Sequence, residues 1–250
     1  GMRESGHLFA SLRNGLGGLV EALQARLSNV RIRLGVQVTG LERSRTWRIH
    51  TPEASFEAEA LVLATPAGVT ASLLDAIHPQ AAEALRQIPY GESATVSFAF
   101  DKKQIPRRIG HGLLMAANRG FSVRGFTWTD QKWPDRAPEG QGLVRAYFSG
   151  VSASHSELIQ LALHDLRRLW GRQPQPLQTW VFHWQQGLPR YTVGHQQRVK
   201  KAMSAEELPG LFLVGAAYYG VGLPEVIRTG QAAGQKAVQF LQGVPWDKVR

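Results

Sequence analysis

The segment Leu211-Phe-Leu-Val-Gly-Ala-Ala-Tyr-Tyr-Gly-Val-Gly-Leu-Pro-Glu-Val-Ile-Arg-Thr-Gly230 contains the residue types of a backbone cradle for an anion. Leu211 to Val214 suit a strand covered on both faces, Gly215, Gly220 and Gly222 allow close backbone approach, and Pro224 fits a first helical turn, where its missing N–H costs nothing. A helix that starts this way offers free donors and partial positive charge to an anion, or to a ring that becomes negative on reduction. The glycines run G-x-x-x-x-G-x-G, which is neither a dinucleotide fingerprint nor a P-loop. From the residues alone, an ordinary strand-to-helix turn reads equally well. No other constellation stands out. The eight histidines show no metal spacing, cysteine is absent, and no G-x-S-x-G nucleophile motif occurs, so no catalytic side chain and no metal ligand is assigned.

The elements that must position this turn are legible as periodicity. Val226, Ile227, Ala233, Ala237, Val238 and Leu241 continue it as a helix. Short alternating runs at 30–34, 36–39, 47–49 and 61–63 predict a small antiparallel unit feeding a parallel strand, and Pro66 opens a helix through Leu74. Residues 91–101, 127–129 and 144–148 alternate as half-buried strands. Ser154 or Ser156 caps a helix carrying Leu158, Leu161, Leu163, Leu166 and Leu169, which Gly171 and Pro174 stop, and 177–184 predicts a last strand before the closing strand and helix. Gly15 to Gly18 opens an amphipathic helix in which Leu16, Leu19, Val20 and Leu23 share one face, the pattern of a packing helix. The fold class is α+β with α/β elements.

At 250 residues with 43% hydrophobic content the chain can bury a real core. No run of about 18 apolar residues and no secretion-signal pattern is present, so cytoplasmic placement is the expectation, with peripheral membrane contact left open. The net charge of +10 suits a solvated basic surface or a partner carrying carboxylates or phosphates. Nucleic acid is not expected, because the basic residues are spread along the chain without interleaved aromatics.

The Leu211 to Gly230 segment resembles the C-terminal flavin-binding signature of protoporphyrinogen and coproporphyrinogen oxidases, within the flavin-containing amine oxidase superfamily. Four further stretches resemble the same family in the same order. They are Phe9 to Leu23, Val38 to Leu41 with Leu61 to Ala67, Trp133 to Gly140, and Leu188 to His195. The match spans about residues 7–242. One departure is large: nothing here fits the strand, G-x-G-x-x-G turn and helix with which these oxidases begin. The resemblance therefore implies the C-terminal half of a flavoenzyme whose N-terminal FAD-binding half is a missing partner. Whether Met2 is a natural start is left open.

That family implies an FAD domain made from both ends of the chain, at 1–85 and 186–250, interrupted by a mixed or antiparallel substrate domain at 86–185. It implies oxidation of a porphyrinogen in haem biosynthesis, with O2 reoxidising the flavin to give hydrogen peroxide, and it leaves protoporphyrinogen and coproporphyrinogen undivided. The cofactor-side positions it carries over are Val38, Thr65, Pro66, Ala67, Trp184, Gly215, Val221 and Gly222. The substrate-side positions are Leu114 and Trp133. Trp184 reads more readily as a core tryptophan from its residue type alone, and Ala216 replaces an asparagine frequent in the family. Arg136 and Arg190 are available cations with no propionate assigned to either. Alternatives are an amine or carotenoid oxidase of the same superfamily, and a non-catalytic half that works only beside a separate nucleotide-binding chain.

Overall fold

The computed structural model describes residues 11–13, 15–106, 110–116 and 119–249. The first part of the chain runs α1 (Gly17–Arg26), β1 (Gly40–Arg43), β2 (Trp47–His50), β3 (Ser55–Ala58), β4 (Leu61–Leu63), α2 (Ala67–Leu74), α3 (Pro79–Arg86) and β5 (Tyr90–Asp101). There follow β6 (Gly112–Leu114), β7 (Gly125–Trp128), α4 (Thr129–Lys132), β8 (Gln141–Ser149), α5 (His155–Trp170) and β9 (Gln178–Pro189). The chain closes with α6 (His195–Met203), β10 (Leu211–Leu213), α7 (Leu223–Leu241) and α8 (Trp246–Val249). The contacts divide it into two units, one of 1–32 with 92–185 and one of 33–91 with 186–250.

The first unit is built on a five-stranded sheet of order β6-β7-β8-β5-β9. Alternation along β8 buries Val144, Ala146 and Phe148 on one face, where Leu158, Ala162 and Leu166 of α5 complete a core with Phe98, Phe100 and Phe126. α5 forms where the sequence predicts. Ser154 accepts from the Glu157 N–H, the Glu157 carboxylate accepts from the Ser154 N–H in return, and Gly171 ends the helix at a φ of 67°. The Ser154 hydroxyl and the Ser154 N–H both donate to the exposed Glu157 carboxylate, at 2.7 and 2.8 Å, and hold it below its ordinary range. The opposite sheet face carries Leu143, Arg145 and Tyr147 of β8 and Trp180, Phe182 and Trp184 of β9.

The second unit joins the antiparallel sheet β1-β2-β3 to a parallel pair, β4 with β10. Leu61, Val62 and Leu63 face Leu211, Phe212 and Leu213, and the Val214 N–H donates to the Leu63 carbonyl at 3.0 Å. Gly210 precedes β10 at a φ of 78°, where an added Cβ would stand 2.6 Å from the Glu59 carbonyl oxygen. Helices α2, α3 and α6 pack a core around Leu74, Leu85, Val199 and Leu211, and Trp47 is fully buried beside them.

Three expectations are corrected. Residues 11–32 group with 92–185, so the first stretch of the 1–85 segment does not belong with 186–250. The attachment is made by Arg136, which donates to the Leu12 carbonyl and, at 3.0 Å, to Ser11 Oγ. α1 is not a packed helix: it buries no residue, and Leu16, Val20 and Leu23 are over half exposed, because no described element covers their stripe. Residues 30–34 and 36–39 are not strands. Alternation gives them extended propensity, but no described backbone supplies a ladder partner before Thr39, whose N–H donates to His50 at 2.8 Å.

Candidate functional site

Parallel pairing of β4 and β10 puts two strand ends side by side, each leading to a helix. Thr65 and Pro66 follow β4 and open α2, whereas Gly215 to Gly222 follow β10 and open α7. Crevices outside the carboxyl ends of parallel strands are where α/β sheets hold ligands, because helix N-termini converge there.

Gly215 turns the chain at a φ of 122°, a conformation that excludes side chains, and a Cβ there would sit 4.0 Å from the Ala64 carbonyl oxygen. Gly222 is the residue before α7, and no side chain caps this 19-residue helix. A Cβ on Gly222 would meet only Pro224, at 3.8 Å. Val221 and Gly222 are exposed. On the β4 side, Thr65 and Thr70 share a hydroxyl hydrogen bond of 2.7 Å, and the N–H of the buried Ala67 donates to the Tyr90 hydroxyl at 2.9 Å. Val38 lies half-buried against the same core, in the extended segment ahead of β1.

Other residues fix the turn from behind. Tyr191 donates to the Ala216 carbonyl at 2.6 Å. Buried His195 approaches the Tyr218 carbonyl at 3.3 Å. Burial depresses its pKa, the Arg198 charge adds to that, and the hydrogen bond to Tyr218 opposes both. Burial also pushes the Tyr218 phenol far up, keeping it neutral. Beside β10 lies a cavity of about 440 Å³ that includes Gly215, Tyr218, Glu206 and Lys236. Burial raises the Glu206 carboxyl, against the Leu213 N–H at 2.7 Å and the Lys236 charge.

Thus Val38, Thr65, Pro66, Ala67, Gly215, Val221 and Gly222 all belong to one unit. Trp184, Leu114 and Trp133 belong to the other. Trp184 is not a core tryptophan: it is 47% exposed and stacks on Phe182 with centroids 6.0 Å apart. Leu114, on β6 at the sheet edge, is 94% exposed. Trp133 lines a cavity of about 380 Å³ together with Arg136, Arg145 and Tyr147. Of the cations considered, Arg136 lies at this cavity, whereas Arg190 is an exposed residue of the other unit.

Arg145, Tyr147, Trp180 and Phe182 were not expected from sequence. Their signal was there in the period-two runs Leu143-x-Arg145-x-Tyr147 and Trp180-x-Phe182-x-Trp184, which give two strands one shared face.

The model of the flavin containing amine oxidoreductases matches residues 1–237. The chain belongs to that family. Among its relatives, coproporphyrinogen III oxidase of Bacillus subtilis (strain 168) is 30% identical over 93% of this chain and 52% of its own length. The chloroplastic protoporphyrinogen oxidase of Nicotiana tabacum is 27% identical over 96% of this chain and 48% of its own. A crystal structure from Exiguobacterium sp. 255-15, named provisionally as a protoporphyrinogen oxidase, superposes with a TM-score of 0.83 at 31% identity, over 95% of this chain and 54% of that one. This member of the flavin containing amine oxidoreductases therefore spans about half the length of the curated relatives it matches. Its mixed α/β architecture is consistent with part of an FAD-binding fold.

Proposed function

We propose that this chain forms part of an FAD-dependent porphyrinogen oxidase, oxidising coproporphyrinogen or protoporphyrinogen with O2 as acceptor. The observation that carries the reading is the parallel pairing of β4 with β10, which sets Thr65 to Ala67 and Gly215 to Gly222 at neighbouring strand ends. The residues fit one edge of a flavin. Gly215 leaves its backbone bare, the start of α7 is uncapped, and the position a Cβ would fill on Gly222 is open.

When bound, the flavin supplies the two-electron redox chemistry. The chain's part is orientation and electrostatics. Backbone donors at the start of α7 favour negative charge on the ring edge they face, and Tyr191 holds the turn through Ala216. The open sheet face of the other unit, with Trp180, Phe182, Trp133 and Tyr147, supplies flat apolar surfaces for a tetrapyrrole. No described side chain need act as a strong acid or base.

The reading further holds that FAD binding needs a companion segment carrying the strand, G-x-G-x-x-G turn and helix. The parallel pair supports this: it has only two strands among the described residues, and Val62 is 41% exposed. Parallel sheets ordinarily have more strands and cover on both faces. No helix among the described residues is long and apolar enough to cross a membrane.

Titration of FAD into this chain, followed by flavin fluorescence and visible absorption, tests the proposal. Weak binding by the chain alone is expected, rising to stoichiometric binding when a companion polypeptide with the G-x-G-x-x-G unit of a related oxidase is added. Tight binding by the chain alone would remove the need for the companion. No binding to the mixture would sink the flavin reading.

A further inference from the structure

The proposed reading leaves the carboxylates of the tetrapyrrole without a partner on this chain. We propose that Arg136 and Arg145 together form a carboxylate subsite for an acidic tetrapyrrole on the open face of the five-stranded sheet. This inference rests on the porphyrinogen reading given above.

Arg145 stands at the centre of that face. Its register neighbours are Ser97 on β5 and Thr127 on β7, and its Nε donates to Ser97 Oγ at 3.0 Å. That hydrogen bond fixes the guanidinium by one edge and leaves the terminal nitrogens for another acceptor. Arg136 is held from the opposite side by Ser11 and the Leu12 carbonyl, both bound through one terminal nitrogen, while its Nε is buried with no hydrogen-bond partner. Neither arginine forms an ion pair with a described residue. A guanidinium already held along one edge offers its remaining N–H groups to a carboxylate as charge-assisted donors with little further loss of side-chain freedom.

Both arginines line the same two cavities. One, of about 410 Å³, is walled by Trp180, Phe182, Pro138 and Leu143. The other, of about 380 Å³, is walled by Trp133 and Tyr147. Two cations between two aromatic-walled hollows match a flat apolar ring that carries acidic side arms. A neutral amine or a hydrocarbon polyene would leave both guanidinium groups unanswered, so the subsite favours the porphyrinogen reading over those substrates.

The test uses the full chain and the stable oxidised ring. Binding of coproporphyrin III and of its tetramethyl ester is measured by quenching of tryptophan fluorescence, for the wild type, R136Q, R145Q and R145K. The acid should bind the wild type at least tenfold more tightly than the ester. R145Q and R136Q should each lose about tenfold for the acid and nothing for the ester, and R145K should fall between. R145K, which keeps the charge, also decides the matter if R145Q does not fold. Equal binding of acid and ester, or acid binding unchanged in the variants, would overturn the subsite while leaving the tetrapyrrole reading intact. Failure of both compounds to bind the wild type would overturn both.

Discussion

The Tyr191 ring lies flat on the His195 ring, with centroids 3.8 Å and planes 15° apart, while the Tyr191 hydroxyl donates to the Ala216 carbonyl at 2.6 Å. The pair thus ties the start of α6 to the turn that follows β10. His195 is also buried and sits near the Arg198 guanidinium, both of which favour its neutral form.

That arrangement sets a pH response. Because the folded pKa of His195 is depressed, its contribution to stability is complete above the ordinary histidine value of about 6.5 and is lost as pH falls below it through the depressed value. Denaturant midpoints should therefore drop between neutral and mildly acidic pH, and H195N should flatten that drop. An unchanged slope in H195N would assign the acid sensitivity elsewhere.

Gly215→Ala should destabilise the chain by about 2 kcal/mol, the usual cost of a side chain in a conformation reserved for glycine. Urea unfolding reads the loss directly. The same substitution should weaken flavin binding in the mixture with the companion segment, whereas Gly230→Ala, within α7, should raise stability by up to about 1 kcal/mol.

Sequence conveyed the unit around this turn well and the unit of the five-stranded sheet less completely. Leu211 to Val214, Pro66 and Pro224 each announce themselves through local rules, since a buried strand and a helix start are short-range events. Arg145 did not. Its meaning depends on Ser97, some fifty residues away, lying opposite it across a strand pair, and pairing is invisible to a single segment. The stripe on α1 misled for a related reason, since an apolar face specifies burial only where something exists to bury it.

Trp184→Ala should cost about 1–2 kcal/mol, because the half-exposed ring gives up only part of a tryptophan's burial and its stack on Phe182. A buried tryptophan would cost about 3–5 kcal/mol instead. Thermal unfolding separates these outcomes, and a large loss would contradict its place on the open sheet face.

Asp165→Ala should cost about 3 kcal/mol. The carboxylate of this fully buried residue accepts from the N–H groups of Ser122 and Val123 at 2.7 and 3.0 Å, and removing it strands two backbone donors. The urea midpoint should fall with the slope unchanged, and a loss below about 1 kcal/mol would show that water replaces the carboxylate.

The ring nitrogen of Trp47 donates to the Pro209 carbonyl across 162 residues of sequence, alongside the strand pair that shapes the glycine turn. Closing a loop of that length costs on the order of 4–5 kcal/mol in chain entropy before any contact repays it. The turn is therefore among the last features to form as the polypeptide emerges and collapses. A chain interrupted in synthesis before Leu211 would hold the antiparallel pieces without the crevice, and refolding from denaturant should regain sheet signal well before it regains the environment of Tyr218.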